Sequence, residues 1–346
     1  MKRKVFRLFL LLGFNLLHSL SYAASDEFFK GKSIRLVVGN SVGGAQDDWA
    51  RFLAQHLGRS IPGNPDILVQ NMAGAGGVIA ANYIYGVAKP DGLSLGFVNP
   101  AIYIDQLIGA KEVKFDWAKF SWIGSPEQID QVLFMRADVP YKTLEALRGA
   151  TEPPRCAALA RAGLGYFLPR LLEEGLGIKL NMVLGYGGGG EMNMAIEKGE
   201  VHCRAGTVSA YVGREPTRTW IKTGFVRALV QSGDQRYAKL PDVPTIYELM
   251  DAHKTPDGTK RLARVLLSSG DLGRPIIASP GVPADRIKTL REAFTKSMND
   301  PALIADANKR KWDLEPTSGD RLEATAKEIM VQPREVIEKA KKLLGQ

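Results

Sequence analysis

VVGNSVGGAQDDWAR, residues 37–51, runs from an apolar strand through a glycine loop into the start of a helix. NMAGAGG, residues 71–77, repeats this order after a second apolar run. Glycine loops of this kind present several backbone N–H groups at a helix N-terminus, where the aligned peptide dipoles favour a small anion. The two loops together predict half of a pocket that suits a carboxylate.

The rest of the chain alternates strand-like and helical patterns around these loops. Strands are predicted at residues 34–38, 66–69 and 93–98, with helices between them. This βαβ order is typical of an α/β sheet with right-handed crossovers, whose ligands gather at the carboxyl ends of the strands. A second set of strands and glycine loops follows residue 126, and the chain is longer than one core usually serves, so two α/β domains are expected.

Three local patterns give specific expectations. The helix after the second glycine loop should bury Ile79, Tyr83 and Val87, which recur at helical spacing. Residues 255–264 are polar and charged, which predicts a loop. After residue 278 the spacing of Ile287, Leu290, Phe294 and Met298 predicts an amphipathic helix with these four residues on its apolar side.

The N-terminus has the pattern of a secretory signal peptide. Residues 1–23 begin with four basic residues and no acid, continue with an apolar run that is too short to span a bilayer, and end with small residues. Cleavage after Ala23 would yield an exported protein and lower its formal net charge from +9 to about +5. No basic stripe is interleaved with aromatic residues, so no nucleic-acid partner is expected.

Cys156 and Cys203 are the only cysteines, an even number that permits one disulfide in an exported chain. Each lies in a short strand-like run. Neighbouring parallel strands rarely give good bridging geometry, and buried free thiols would serve equally well as small apolar residues. The sequence leaves both alternatives open.

Catalytic, metal and cofactor motifs find little support in the sequence. Residues 185–190 (GYGGGG) fit a dinucleotide fingerprint formally, but no acid follows in a position that would bind a ribose. None of the histidines His56, His202 and His253 lies in a nucleophile or metal motif. We therefore expect no catalytic residue, no metal and no cofactor.

Five short motifs carry a family resemblance. GGxxDxxAR at residues 43–51, NxxGAGG at 71–77, PDG at 90–92, YxG at 186–188 and LPDVPTxxE at 240–248 occur in this order. Their order and spacing over nearly the whole chain after residue 23 resemble the Bug family, the periplasmic substrate-binding receptors of tripartite tricarboxylate transporters. An exported α/β enzyme that uses Asp47 and a histidine, and a receptor that presents its ligand to a sensor kinase, are the alternatives.

The resemblance implies a type II-like Venus-flytrap fold of two α/β lobes with two crossing strands. Residues 24–128 and 246–346 would form the first lobe and residues 129–245 the second. Segments near residues 125–135 and 240–250 would be the hinge, because they join the lobes. The implied ligand is a small organic acid, and the implied partners of the monomeric receptor are one large and one small integral-membrane subunit.

The resemblance also implies ligand-binding residues on loops of both lobes. They are Ser41, Gly43, Gly44, Asp47, Ala75, Gly76 and Asn99 in the first lobe, and Arg161, Gly163, Tyr186, Gly187 and Thr207 in the second. Arg161 replaces a small hydroxyl residue of the family pattern, so its guanidinium either grips a carboxylate or is an exposed charge. Asp47 either caps its helix and fixes the loop or meets a ligand ammonium or hydroxyl group. Tyr186 either contacts the ligand or covers the hinge.

Overall fold

A computed structural model describes residues 28–43, 45–158, 163–186 and 189–344 of the chain. The predicted signal peptide at residues 1–23 lies outside these ranges. Within the described ranges, no helix combines the length and the apolar character needed to cross a membrane.

The first lobe is built on a six-stranded mixed sheet with the order β11-β4-β10-β3-β1-β2. Its strands are β1 (Ser33–Val38), β2 (Asp66–Asn71), β3 (Ser94–Phe97), β4 (Ser121–Ser125), β10 (Ile276–Ala278) and β11 (Thr317–Ser318). Strand β1 pairs in parallel with β2 and β3, whereas β10 is antiparallel to both of its neighbours, β3 and β4. The first lobe therefore contains segments from both ends of the described chain.

The second lobe is built on a five-stranded mixed sheet with the order β7-β6-β8-β5-β9. Its strands are β5 (Gln131–Arg136), β6 (Arg155–Ala157), β7 (Asn181–Val183), β8 (Cys203–Thr207) and β9 (Val226–Gln231). Strands β6, β7 and β8 are parallel to one another, and β5 is antiparallel to β8 and β9. The predicted two-lobed α/β fold is confirmed, and both sheets are mixed.

Helices cover both sheets. Their bounds are α1 (Ala45–Leu57), α2 (Val78–Gly86), α3 (Tyr103–Leu107), α4 (Leu144–Arg148), α5 (Leu164–Leu176), α6 (Gly189–Glu197), α7 (Val208–Gly213), α8 (Thr217–Thr223), α9 (Ile246–Ala252), α10 (Asp257–Leu272), α11 (Ala284–Met298), α12 (Pro301–Arg310), α13 (Gly319–Met330) and α14 (Arg334–Leu344). Helix α11 buries the four apolar residues predicted from its periodicity. Its Phe294 packs so closely on β4 that a Cβ on Gly124 would lie 2.3 Å from the ring.

The structure corrects two local predictions. Residues 255–264 are not a loop, since most of them belong to α10, which buries Leu262, Leu266 and their neighbours. Helix α2 exists, but Ile79 and Val87 are 48% and 71% exposed. Its buried side consists of Val78, Ala80, Ala81 and Ile84. The small alanines let this nearly all-apolar helix lie close to the sheet, and an all-apolar helix gives no periodicity from which to choose a side.

The chain passes between the lobes twice. Residues 126–130 join β4 to β5, and the segment after β9 leads back through α9 and α10 to β10. The two passages touch each other: the Ser232 N–H donates to the Gln131 carbonyl (2.9 Å), and the Gln131 N–H donates to the Ser232 hydroxyl (2.8 Å). Helix α10 packs on α5 of the second lobe and on the C-terminal helices α13 and α14. It therefore spans the connection between the lobes.

The two cysteines form a disulfide in the structure. Cys156 on β6 and Cys203 on β8 are register partners on neighbouring parallel strands, with 4.4 Å between their Cα atoms. Both side chains are fully buried. The bond joins two strands that lie 47 residues apart in the sequence, so it closes a long loop through the core of the second lobe.

Candidate functional site

Two adjoining cavities lie between the lobes at the carboxyl ends of the parallel strands. The larger, of about 330 Å³, is lined by residues of both lobes: Asn99, Pro100, Ala101, Ile129, Gln131, Gly163, Leu164, Gly165, Tyr166 and Ser269. The smaller, of about 280 Å³, shares Asn99, Ala101 and Gly163 with it and adds Gly76. Three of the residues that the sequence singled out, Gly76, Asn99 and Gly163, are thus brought together from distant parts of the chain.

The backbone at the first-lobe side of these cavities is suited to close approach by a ligand. Gly76 has a φ of +63°, and a Cβ there would meet no atom within 4 Å, so its peptide faces open space. Asn99 follows β3 and its Oδ1 accepts from the Ala101 N–H (3.0 Å), which leaves its amide nitrogen as an additional donor. This side of the cleft therefore offers neutral N–H donors.

The first glycine loop is held in shape by Asp47. Its Oδ2 accepts from the Gly43 N–H (3.0 Å) and from the Arg51 Nε (2.9 Å). Its Oδ1 accepts from the Asn71 amide (2.9 Å), which also donates to the Asn40 carbonyl (2.9 Å). Because Asp47 is 1% exposed and both of its oxygens are engaged, the contacts favour the loop-fixing role over contact with a ligand.

These contacts also set the charge of Asp47. The hydrogen bond from Arg51, with those from the Gly43 N–H and Asn71, lowers the pKa of Asp47 to about 2. Asp47 is thus ionised over the whole physiological range. No histidine is among its partners, since the nearest along α1, His56, contacts Asp306 of α12 instead (3.3 Å).

The second lobe contributes the N-terminus of α5. Gly163 precedes this helix with a φ of +114°, which favours glycine, and its carbonyl accepts from the Tyr166 and Phe167 N–H groups. Thr207 ends β8 opposite Gln131, and its side chain makes no capping hydrogen bond to α7. Tyr186 is half-buried and packs against a hydrophobic cluster of the second lobe.

The remaining predicted residues differ in their placement. Ser41 and Ala75 are exposed on the first-lobe loops and do not line the two cavities. Gly44, Arg161 and Gly187 lie outside the described residues. The residues with polar side chains that line the larger cavity and that sequence reasoning missed are Gln131, Tyr166 and Ser269. Gln131 alone had a sequence signal, because it begins the strand that follows the first passage between the lobes.

Arg274 connects the first glycine loop to the passage between the lobes. Its Nη1 donates to the Gln46 side chain (2.7 Å), and its Nε pairs with Glu127. Its backbone N–H donates to the Ser125 hydroxyl (2.8 Å). Arg274 thus links residues 125–127 to the start of α1, which follows the first glycine loop.

A separate polar cavity of about 410 Å³ lies at the two passages themselves. Asp130 and Asp271 both line it, and burial, followed by repulsion from neighbouring acids, raises the pKa of each. The Ser232 hydroxyl donates to Asp130 (3.3 Å). Over the residues that the structure describes, no group of three or more His, Cys, Asp or Glu side chains is arranged to hold a metal ion.

Replacement of Asp47 by asparagine should weaken ligand binding to a similar degree for every acid that binds. The amide N–H of an asparagine would face at least one of the three groups that now donate to the carboxylate, namely the Gly43 N–H, Arg51 and Asn71. The lost hydrogen bond loosens the loop and costs about 1.5–3 kcal/mol of stability, the range for a charged hydrogen bond. Thermal unfolding and titration calorimetry measure the two effects. Asp48→Asn, at the exposed next position, is the matched control. A loss confined to one ligand would instead indicate direct contact with Asp47.

Comparison with known proteins gives close agreement on the family. Residues 50–341 match the family model described as "Tripartite tricarboxylate transporter family receptor". A protein from Cupriavidus necator, "UPF0065 protein in gbd 5'region", is 27% identical over 323 residues, which cover 91% of this chain and 90% of that protein. The likeness thus extends across both lobes.

Solved structures show the same fold. A TctC solute binding protein from Polaromonas, solved with no ligand, has a TM-score of 0.69 at 18% identity and covers 91% of this chain and 98% of that one. MatC from Rhodopseudomonas palustris with bound malate has a TM-score of 0.57 at 19% identity and covers 91% of this chain and 100% of that one. Because the family model matches residues of both lobes, the chain belongs to the receptors of the tripartite tricarboxylate transporter family.

Proposed function

We propose that this protein is a periplasmic receptor that binds a small organic acid between its lobes and delivers it to a tripartite transporter. The observation that carries the proposal is the meeting of Gly76 and Asn99 of the first lobe with Gly163 of the second around two adjoining cavities. Membership of the receptor family and the malate bound to MatC support a carboxylate as the ligand.

The lining of the cleft is suited to binding. Backbone N–H groups at glycine loops and at the start of a helix take an anion without a proton transfer. Asp47, the acid that an enzymatic mechanism would use, has both oxygens occupied and has no histidine partner. We therefore propose that the protein captures and releases its ligand unchanged.

The two passages between the lobes are the proposed hinge. The second lobe comprises residues 129–245, and residues 24–128 and 246–346 form the first lobe in this proposal. Export follows cleavage of residues 1–23. We also propose that the receptor acts as a monomer and meets one large and one small integral-membrane subunit. Membership of the receptor family supports a transporter as the partner.

The test is binding without turnover. Purified protein is titrated with malate, succinate, adipate and citrate and followed by thermal unfolding, and the acids are quantified afterwards by mass spectrometry. A ligand present at about 100 times its dissociation constant should add about 2.7 kcal/mol to the free energy of unfolding, with no loss of the acid. Protein that is purified without unfolding and then denatured should release a bound organic acid. Formation of a product would contradict the proposal, as would the absence of stabilisation by any acid.

A further inference from the structure

Arg204 occupies an unusual position in the second lobe. It is the second residue of β8 and is only 9% exposed. Its Nε donates to the Asn193 side chain of α6 (2.9 Å), and its Nη1 donates to the Ala205 carbonyl (3.2 Å). The guanidinium carbon lies 5.2 Å from the centre of the Phe134 ring. All of these partners are neutral.

The positive charge of Arg204 has no acidic counterpart in the described part of the chain. Burial lowers the pKa of Arg204 to about 10, and no acidic neighbour raises it again. A buried charge is strongly disfavoured unless an opposite charge balances it. The arrangement therefore indicates that an anion from outside the chain completes the site.

The guanidinium points toward the cleft end of the sheet. A Cβ on Gly206, two residues nearer that end on the same side of β8, would lie 3.2 Å from Nη1. A Cβ on Gly189, the first residue of α6, would lie 3.7 Å from Nη2. The positive end of the α6 dipole is thus beside the unpaired cation, and two positive features in one place attract an anion more strongly than either alone.

The same point adjoins the cleft between the lobes. The Ala205 carbonyl, which accepts from Arg204, lies 4.0 Å from the position of a Cβ on Gly165. Gly165 belongs to the first turn of α5 and lines the 330 Å³ cavity. Residues 165, 189 and 206 are glycines, so no side chain at these three positions stands between the guanidinium and the 330 Å³ cavity.

We propose that Arg204 is a ligand-binding residue whose guanidinium receives a carboxylate of the organic acid on the second lobe. The inference rests on the proposed function of the cleft. A planar guanidinium presents parallel N–H donors that match the two oxygens of a carboxylate. The N–H donors of the first lobe are neutral, so Arg204 supplies the charge complement of the acid. Asn193 holds the guanidinium in the orientation needed.

Two substitutions of Arg204 test the assignment by titration calorimetry with the acid, among malate, succinate, adipate and citrate, that the wild type binds most tightly. Arg204→Gln keeps a polar side chain of similar length without the charge, and its affinity should be about 10- to 100-fold lower, the range for a lost charged hydrogen bond. Arg204→Lys keeps the charge without the fork and should lose less. Asn193→Ala, which removes only the neutral support, should have a smaller effect than Arg204→Gln.

Thermal unfolding without ligand separates binding from a structural role. Arg204→Gln should melt at or above the temperature of the wild type, because an unbalanced buried charge has been removed. A lower melting temperature combined with an equal loss of affinity in Asn193→Ala would assign Arg204 to the framework and overturn the inference. Wild-type affinity in Arg204→Gln would overturn it and leave the proposed function intact. Absence of binding by the wild type itself would mark the failure of the proposed function, and the inference would fail with it.

Discussion

Replacement of Gly76 by valine is expected to lower the affinity for the organic acid by about 10- to 100-fold, since overfilling a formed site costs about 1–3 kcal/mol. Gly76 lines the 280 Å³ cavity, and open space surrounds the position where its Cβ would be. The added side chain would therefore enter the space that the ligand needs and would keep the acid away from the backbone N–H groups. Titration calorimetry of wild type and variant with the same acid measures the loss.

The backbone strain of this substitution requires its own control. Gly76 has a φ of +63°, so a valine there costs about 1–2 kcal/mol of stability whatever its effect on binding. Gly31 has a φ of +69°, also has open space around it, and precedes β1 at the end of the strand opposite the loops. Gly31→Val should lose similar stability and bind normally. Equal affinities of Gly76→Val and the wild type would place the ligand elsewhere.

Removal of the disulfide is expected to have the largest effect on stability. The double variant Cys156→Ala, Cys203→Ala should lose about 4 kcal/mol in its free energy of unfolding, because the closed loop of 47 residues restricts the unfolded chain. Urea unfolding monitored by circular dichroism measures the difference. The replaced side chains are small and the sheet remains, so the variant should still bind the acid.

A reducing agent provides the control for this prediction. It should destabilise the wild type to the level of the double variant and leave the double variant unchanged. Denatured but unreduced wild type should take up no alkylating label. Two labels per chain, or an equal effect of the reducing agent on both proteins, would show that the thiols are free in the exported protein.

The sequence predicts local structure well where a residue type occurs at a position for a single physical reason. Glycines after apolar runs mark the ends of β1 and β2, and apolar spacing marks α11. Helix α10 escapes sequence-based prediction because its first turns carry charged residues such as Lys260, which pairs with Asp251 of α9, and its apolar stripe begins only at Leu262. A short window of charged residues predicts solvent exposure, but not whether the backbone is helical.

The candidate site is harder to predict because it depends on contacts across the whole chain. The sequence shows Gly76, Asn99 and Gly163 as loop residues, but only the fold places them around the same cavities. Arg204 gave no signal at all, since an arginine between Cys203 and Ala205 resembles an ordinary strand position. Its proposed role depends on the lack of an acidic partner among the residues that the structure describes, and such a lack is visible only in three dimensions.

The position of β10 in the first sheet has a consequence for the order in which the protein assembles. Strand β10 lies between β3 and β4. A chain that emerges with its N-terminus first therefore cannot complete the first sheet until Ile276–Ala278 has emerged. All five strands of the second sheet, from Gln131 to Gln231, are available before that. We therefore expect the lobe that comes second in the sequence to be the first to fold, and to serve as the template on which the other is completed.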